Sequence, residues 1–434
     1  MKLAEGGYNK VFRFIMNDGK TVLARIPNPN AGPAFYTTAS EVATMELARD
    51  FLQIPVPRVL DWSATSNNAV GSEYIIMEEA SGIQLGVIWD QLNPDKKLSI
   101  MRQILTLESK MLGVSFSHFG SIYFASDPVE SAVPALLTNG ASSELKERVC
   151  KKFSIGPTVE RSFWKKERSS MQISRGRTPQ EYALSVGRRE LEWIKRFAIS
   201  KLPSEATLIS SAPQNSPQAH LQLLEKYLQV APAMMNIDSV LTRPTLWHGD
   251  LLSSNLFVDD GQITAVIDWQ GLWAGPLFLQ SQPPPIADYA GSILLQRPGN
   301  FDDLGPEQQA EIKHKIFKST LYQLYLLKTK ERNPLMTSSL PNLIFHLRHW
   351  PELGIQGECP YHFTQDEPHS HAADAEGWNE VQEFFDGIEG LVKRDGWTSP
   401  DTFDAAFSFF SELRERGLKR ALDRQTRWAR KQNG

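Results

Sequence analysis

The apolar positions between Leu3 and Pro27, LAEGGYNKVFRFIMNDGKTVLARIP, read as strand, glycine turn, strand, an Asn17-Asp18-Gly19 turn, and strand. The period then changes. TTASEVATMELARDFL, Thr37 to Leu52, reads as an amphipathic helix with Val42, Met45, Leu47 and Ala48 on its buried face and Glu41 in its first turn. Ile54 to Trp62 is a proline-punctuated connection into a short strand, and Glu73 to Gly82, EYIIMEEASG, a β-rich run ending in acidic residues and glycine. Beyond it the chain turns helical. Asn93-Pro94, a cap followed by proline, starts one helix. FGSIYFASD allows a short hairpin, and Lys152 to Tyr182 is basic and glycine-punctuated. Further helices are predicted from about Glu181 to Lys201, with Leu184, Leu191, Trp193 and Ile194 as apolar candidates, from Leu221 to Val230, and from Pro306 to Lys330. Ser210 to Gln218 reads as a loop, and the chain ends on a charged helix of mixed sign.

Chemistry concentrates in LWHGDLLSSNLFVDDGQITAVIDW, Leu246 to Trp269. Asp250 and Asn255 share one short loop, which leads into the apolar strand LFV. A turn at Asp259-Asp260-Gly261 reverses the chain, and a second strand, ITAVI, carries Asp268 back beside Asn255. An amide and a carboxylate at one hairpin end suit Mg2+, which takes oxygen ligands and keeps some waters. Asp250 is then placed to accept or orient the proton of an attacking hydroxyl, as phosphoryl transfer from a nucleotide requires. The competing reading is a core hairpin with polar residues at its ends.

Upstream features bear on that choice. Gly6 and Gly7 lack a Cβ, so backbone can approach a ligand there; the same pair also fits a plain β-turn. Arg25, among apolar neighbours on the third strand, is costly to bury without an anionic partner, unless it snorkels from an edge. Glu41 either favours its helix dipole or pairs with Arg25 and holds it over phosphates. If Glu73–Gly82 is a hinge, Met77 lines the back of an adenine pocket and the backbone of Glu78 and Ala80 meets the base edge.

Length and composition narrow the rest. A chain of 434 residues is long enough for two or three domains, and a net charge of −4 gives no reason to expect nucleic-acid or acidic-membrane binding. Cys150 and Cys359, far apart, argue against a disulfide framework and fit a reducing compartment. No run has the length and apolarity of a membrane span, and MKLAEGGYNK is neither signal nor transit peptide. HFTQDEPHSH, His362 to His371, matches no common zinc spacing and reads as an acidic surface loop. The proline-rich segment after Asp268 is not expected to continue a sheet interior; it reads as an ordered loop crossing the cleft mouth.

EGGYNKVF, VLARIP, the Glu41 helix, IIMEEASG, HGDLLSSN and VIDW together resemble the aminoglycoside phosphotransferase branch of the protein-kinase-like fold. FSIGPTVERSFWKKER, RPTLWHGD and DWQGLWAGPLFLQ are similar to the altered inheritance of mitochondria protein nine group of fungal phosphotransferase-family proteins. The resemblance covers most of the chain to about residue 335. It implies an α+β, two-lobed fold: a β-rich N-lobe over 1–82 and a helical C-lobe over 83–434, with the catalytic loop at 248–255 and an inserted segment around 126–218. It implies ATP and Mg2+ as cofactors, Asp250 as catalytic base, Asn255 and Asp268 as metal ligands, and Gly6, Gly7, Arg25, Glu41, Met77, Glu78 and Ala80 around the nucleotide. The acceptor would be a small-molecule hydroxyl and the compartment mitochondrial, with cytoplasmic as the alternative.

Departures from the pattern matter. Arg25 stands where a lysine is usual, and a planar fork with fixed charge is not a compact ammonium. Trp269 and Gln270 replace the Phe-Gly of protein kinases, and Leu252 a frequent loop histidine. The chain starts at or inside its first strand, so a stretch usual in relatives is expected upstream. Three readings stay open: a small-molecule kinase, a nucleotide-binding interaction module without turnover, and an enzyme that modifies proteins.

Overall fold

The computed structural model describes residues 1–171, 178–201, 215–234, 241–280, 282–289, 293–332 and 402–432, with a few positions between 384 and 398. Contacts divide the chain into two units. One comprises Met1–Ser185 and Ala233–Gln356, the other Val186–Pro232 and Gly357–Gly434.

The first unit begins with an antiparallel sheet. Its strands are β1 (Lys2–Glu5), β2 (Asn9–Ile15), β3 (Thr21–Pro27), β4 (Val59–Ser63) and β5 (Tyr74–Glu78), in the order β1-β2-β3-β5-β4. Met16 and Gly19 close the β2–β3 hairpin, with Gly19 at φ 80, a conformation that costs a glycine nothing. β3 is central, pairing Val11 and Ile75 on either side of Arg25.

Helix α1 runs Tyr36–Glu46 and continues as a π-helical turn over Leu47–Phe51. It is not amphipathic as expected, because Thr37 through Met45 are all buried. The sheet packs on one side and β8 (Ser121–Phe124) on the other. Small side chains at Ala39, Ser40 and Ala43 permit that close approach. The helix also starts before the predicted Thr37, so Glu41 lies beyond its first turn and has no dipole role.

β5 runs into a linker that reaches β6 (Ile83–Gln84) and the short helix α2 (Leu85–Ile88). Gly82 is required there: its φ is 92, and a Cβ would sit 2.5 Å from the Val258 carbonyl oxygen. Helix α3 (Pro94–Leu112) is capped as predicted, with the Asn93 side chain accepting from the Lys96 N–H at 2.9 Å. Ile100, Met101, Ile104, Leu105 and Met111 form its buried face.

FGSIYFASD is not a local hairpin. β7 (Ser115–Phe116) pairs with β10 (Leu137–Asn139); β8 pairs with β11 (Phe153–Gly156), which also takes β9 (Val133–Pro134). β11 follows α4 (Ser143–Lys152), so β8 finds its partner about thirty residues on, beyond the reach of local pattern. Helix α5 (Pro179–Phe197) buries Tyr182, Ala183, Ser185 and Arg189; Leu184, Leu191, Trp193 and Ile194 are only half-buried.

Helix α6 (Pro217–Met234) leads toward β12 (Pro244–Leu246). β13 (Leu256–Asp259) and β14 (Gln262–Val266) form the predicted hairpin, with Asp260 and Gly261 at φ 41 and 75. The proline-rich segment does enter a ladder: β15 (Ala274–Pro276) pairs with β12, Pro276 opposite Pro244. Pro244 and Pro276 stand at one end of that short ladder, where a proline without an N–H is tolerated. Helices α7 (Leu277–Gln280) and α8 (Pro306–Arg332) follow. The core gathers α1, α3, the β13–β14 hairpin and α8 around Trp269, Leu246 and Tyr325. The fold is thus α+β and two-lobed, a β-rich N-terminal lobe followed by a larger helical one.

In the second unit Gly187 lies so close to α6 that a Cβ would meet the Tyr227 ring at 2.7 Å. The charged C-terminal helix, α9 (Phe403–Gln432), belongs to this unit. His362 to His371 and most of Ser210 to Gln218 lie outside the described residues. No helix among the described residues is long and apolar enough to cross a membrane.

Candidate active site

Four segments build the site: β3, α1, the loop from His248 to Asn255, and the residues after β14. The loop is fixed from within. His248 is buried; its Nε2–H donates to the Ile267 carbonyl at 3.1 Å, and its Nδ1 accepts from the Asp250 N–H at 3.3 Å. These two bonds set a neutral tautomer, and burial pushes the imidazole below its ordinary pKa. Its ring meets Trp269 edge-on, at 4.9 Å between centroids.

Asn255 is held by three bonds. Its N–H donates to the Leu252 carbonyl at 2.9 Å, its carbonyl accepts from Ile267 N–H at 3.0 Å, and its side-chain NH2 donates to the Asp250 carbonyl at 3.0 Å. The amide nitrogen is thereby committed, and the amide oxygen is left for a cation. The Ile267 bond also places Asn255 beside the residue that precedes Asp268.

Asp268 adopts φ 66, in the left-handed region that a non-glycine residue rarely enters. Its side chain is 42% exposed and accepts from Arg25 Nη2 at 3.0 Å. Trp269 is buried beside it, its indole N–H donating to the Val266 carbonyl at 2.9 Å. A ring so packed is a structural pin, in keeping with the missing Phe-Gly pair.

Arg25 is buried among charges and does not snorkel. Its Nη1 donates to Glu41, and its Nη2 to Asp268 and, at 3.1 Å, to Gln270. Burial lowers its pKa, and Asp268 opposes that shift. Gln270 in turn accepts from the Asn9 side chain at 3.0 Å. Neither Asn9 nor Gln270 stood out in the sequence as a site residue. Only the meeting of β2 with the end of β14 reveals their link.

The glycine turn at Gly6 and Gly7 is braced from β3. The Asn28 side chain donates to both carbonyls, at 3.2 and 3.3 Å, and the Asn28 N–H to the Tyr8 carbonyl at 2.8 Å. A Cβ on Gly6 would meet nothing within 4 Å, so packing inside the protein does not require glycine there. Met77 is half-buried against the main core. The Glu78 N–H donates to the Arg58 carbonyl at 2.9 Å, so of that peptide only the carbonyl could serve a base edge. Ala80 lies with Glu78, Ile54 to Pro57 and Thr264 along a groove of about 500 Å3. Arg25, Asp250, Asn255 and Asp268 do not line it, so this groove is not where the polar cluster sits.

Could this site hold Mg2+? The exposed Asp268 carboxylate and the Asn255 amide oxygen are hard donors, and two such ligands with waters and phosphate oxygens suit the ion. Among the described residues no three His, Cys, Asp or Glu side chains converge as a self-sufficient metal cage. The residues therefore fit a metal that arrives with a phosphate ligand.

A profile of the Phosphotransferase enzyme family matches residues 171–278, which include the His248–Asn255 loop and Asp268. A subtelomeric hrmA-associated cluster protein of Aspergillus fumigatus is 31% identical, over 97% of this chain and 93% of that one. The mitochondrial altered inheritance of mitochondria protein 9 of Yarrowia lipolytica is 25% identical over 93% of this chain and 76% of its own. Its Lachancea thermotolerans counterpart is 29% identical over 65% of this chain, which spans 49% of that protein. Among solved structures, an aminoglycoside phosphotransferase in ternary complex with streptomycin and ATP aligns at 13% identity and TM-score 0.35, over 88% of this chain and 90% of that one. By these matches the chain belongs to the Phosphotransferase enzyme family, in one group with the subtelomeric cluster protein and related in sequence to the fungal altered inheritance of mitochondria protein 9 proteins.

Proposed function

We propose that the protein transfers the γ-phosphate of ATP to a hydroxyl of a small molecule. The observation that carries this reading is the convergence of Asp250, Asn255 and Asp268 through the bonds that Asn255 makes to Asp250 and to Ile267. Asp250, exposed on the pinned loop, accepts or orients the proton of the attacking hydroxyl. Asn255 and Asp268 would hold Mg2+, which would neutralise charge on the phosphate oxygens. Arg25, paired with Glu41 and Asp268, would meet those oxygens. Catalysis on such a site is positioning and charge, so the rigidity that His248 and Trp269 supply is itself part of the chemistry.

A second reading has its own observation. The Arg25 guanidinium already carries Glu41, Asp268 and Gln270, an arrangement that suits a protein that binds nucleotide without turning it over. One experiment separates the two. Thermal denaturation with Mg2+ and ATP is followed beside ATP consumption over a panel of alcohols, for wild type and Asp250→Asn. The kinase reading expects stabilisation of both proteins and turnover by wild type alone. Stabilisation without turnover selects the binding module, and no stabilisation removes both. The names of the fungal relatives further support a mitochondrial location, which fractionation of cells carrying the tagged chain tests.

A further inference from the structure

The Arg25 cluster is short of positive charge. Two carboxylates, Glu41 and Asp268, share one guanidinium. A triphosphate entering beside them adds further negative charge, more than a single divalent ion offsets. A second cation is needed near the glycine turn, and one stands there.

Arg161 opens a 3-10 turn, Arg161–Phe163, in the segment after β11. Its side chain is exposed, and its guanidinium carbon lies 3.4 Å from the centre of the Tyr8 ring. Tyr8 follows Gly6 and Gly7 and precedes Asn9, which is tied through Gln270 to Arg25. Arg161 is also near enough that its charge opposes that of Arg25. Among the described residues no carboxylate forms an ion pair with it.

The backbone that presents Arg161 is anchored on both sides. The Val159 N–H donates to Ser121 Oγ at 3.0 Å, and that hydroxyl donates to the Leu272 carbonyl at 3.1 Å, four residues past Asp268. Tyr182 donates to Glu160 at 2.9 Å. Trp164 donates its indole N–H to the Thr158 carbonyl at 2.7 Å and stacks on Tyr36, the first residue of α1, at 5.7 Å. A long cationic side chain on a fixed base, resting on an aromatic face, can leave that face for a stronger anion at modest cost.

We infer that Arg161 is a second phosphate-binding residue of the nucleotide site, resting on Tyr8 in this structure and pairing with the terminal phosphate when a nucleoside triphosphate binds. This rests on the nucleotide-binding reading above and goes beyond it, because it assigns discrimination between tri- and diphosphate to a residue outside the glycine turn, β3 and the His248–Asp268 region.

The test is equilibrium titration of the full chain with ATP, ADP and AMP, each with Mg2+, for wild type, Arg161→Ala and Arg161→Lys. Arg161→Ala is expected to weaken ATP by about tenfold, the worth of one charge-assisted contact, and to leave ADP and AMP unchanged. Arg161→Lys is expected to recover part of the loss. Unchanged ATP affinity in Arg161→Ala would overturn the assignment while the site reading stands. Equal weakening of all three nucleotides would overturn it too, by showing a structural role. Wild-type protein that binds none of them overturns both this inference and the reading beneath it. Because the side chain is exposed, the nucleotide-free melting temperature of both variants is expected to match wild type.

Discussion

Arg25 and Asp268 stand 243 residues apart in the chain and meet at 3.0 Å. The contact joins the central strand of the N-terminal sheet to the carboxylate that follows β14, and Glu41 completes it from α1. Three elements thus share one guanidinium, whose side chain is only 8% exposed. An arrangement of this kind stabilises little as a whole, yet is costly to break from one side.

Arg25→Met leaves Glu41 buried without its cation. The expected loss is about 3–5 kcal/mol, read from urea denaturation. The double variant Arg25→Met, Glu41→Met should recover most of it, because both desolvated charges are gone. Recovery of nothing would show that the fork packs rather than pairs.

Asp250 is exposed, and its own backbone ties the loop: its N–H donates to His248 and its carbonyl accepts from the Asn255 side chain, bonds that an Asp-to-Asn change leaves in place. Asp250→Asn is therefore expected to change stability by no more than about 1 kcal/mol. If the kinase reading holds, it lowers ATP turnover by about a hundredfold or more with nucleotide affinity retained. Single-turnover measurements at saturating ATP separate the two effects.

Glu108 on α3 is buried, and its carboxyl accepts from the Tyr325 hydroxyl at 3.0 and 3.2 Å. Burial pushes it up to about 8, and the Tyr325 bond opposes the shift. The unfolded chain ionises near 4.5, so between 4.5 and about 8 the folded protein holds a proton that the unfolded one has lost. Stability from this group is fully present below that window and declines as pH rises through it, by at most about 1.4 kcal/mol per unit. Denaturation midpoints across pH 5 to 8 should show the slope in wild type and not in Glu108→Gln.

His248 acts in the opposite direction. Its folded pKa lies below the ordinary 6.5, so below that pH the unfolded chain takes a proton the folded loop refuses. Its contribution is present above 6.5 and is lost as pH falls toward the folded value. His248→Leu removes this acid limb but leaves the Ile267 carbonyl without its donor, at a cost of about 1–3 kcal/mol. Denaturation at pH 5 and 7 tests both parts.

Local signals were strong wherever a backbone conformation or a cap needs a particular residue. The Asp260-Gly261 turn, the Asn93-Pro94 helix start and the strands around Gly19 were all legible, because each is decided within a few residues. The spacing from His248 to Asp268 was legible for the same reason: one hairpin of fixed register carries it. What no local pattern holds is which surfaces meet. The burial of α1 on all sides, the pairing of β8 with β11, the Asn9–Gln270 link and the approach of Arg161 to Tyr8 each depend on elements far apart in sequence. Turns, helix starts and the order of the charged side chains are settled within short stretches of chain. That Arg25 is shared among Glu41, Asp268 and Gln270 follows from folding, because desolvation and pairing act on distances that the packed elements create.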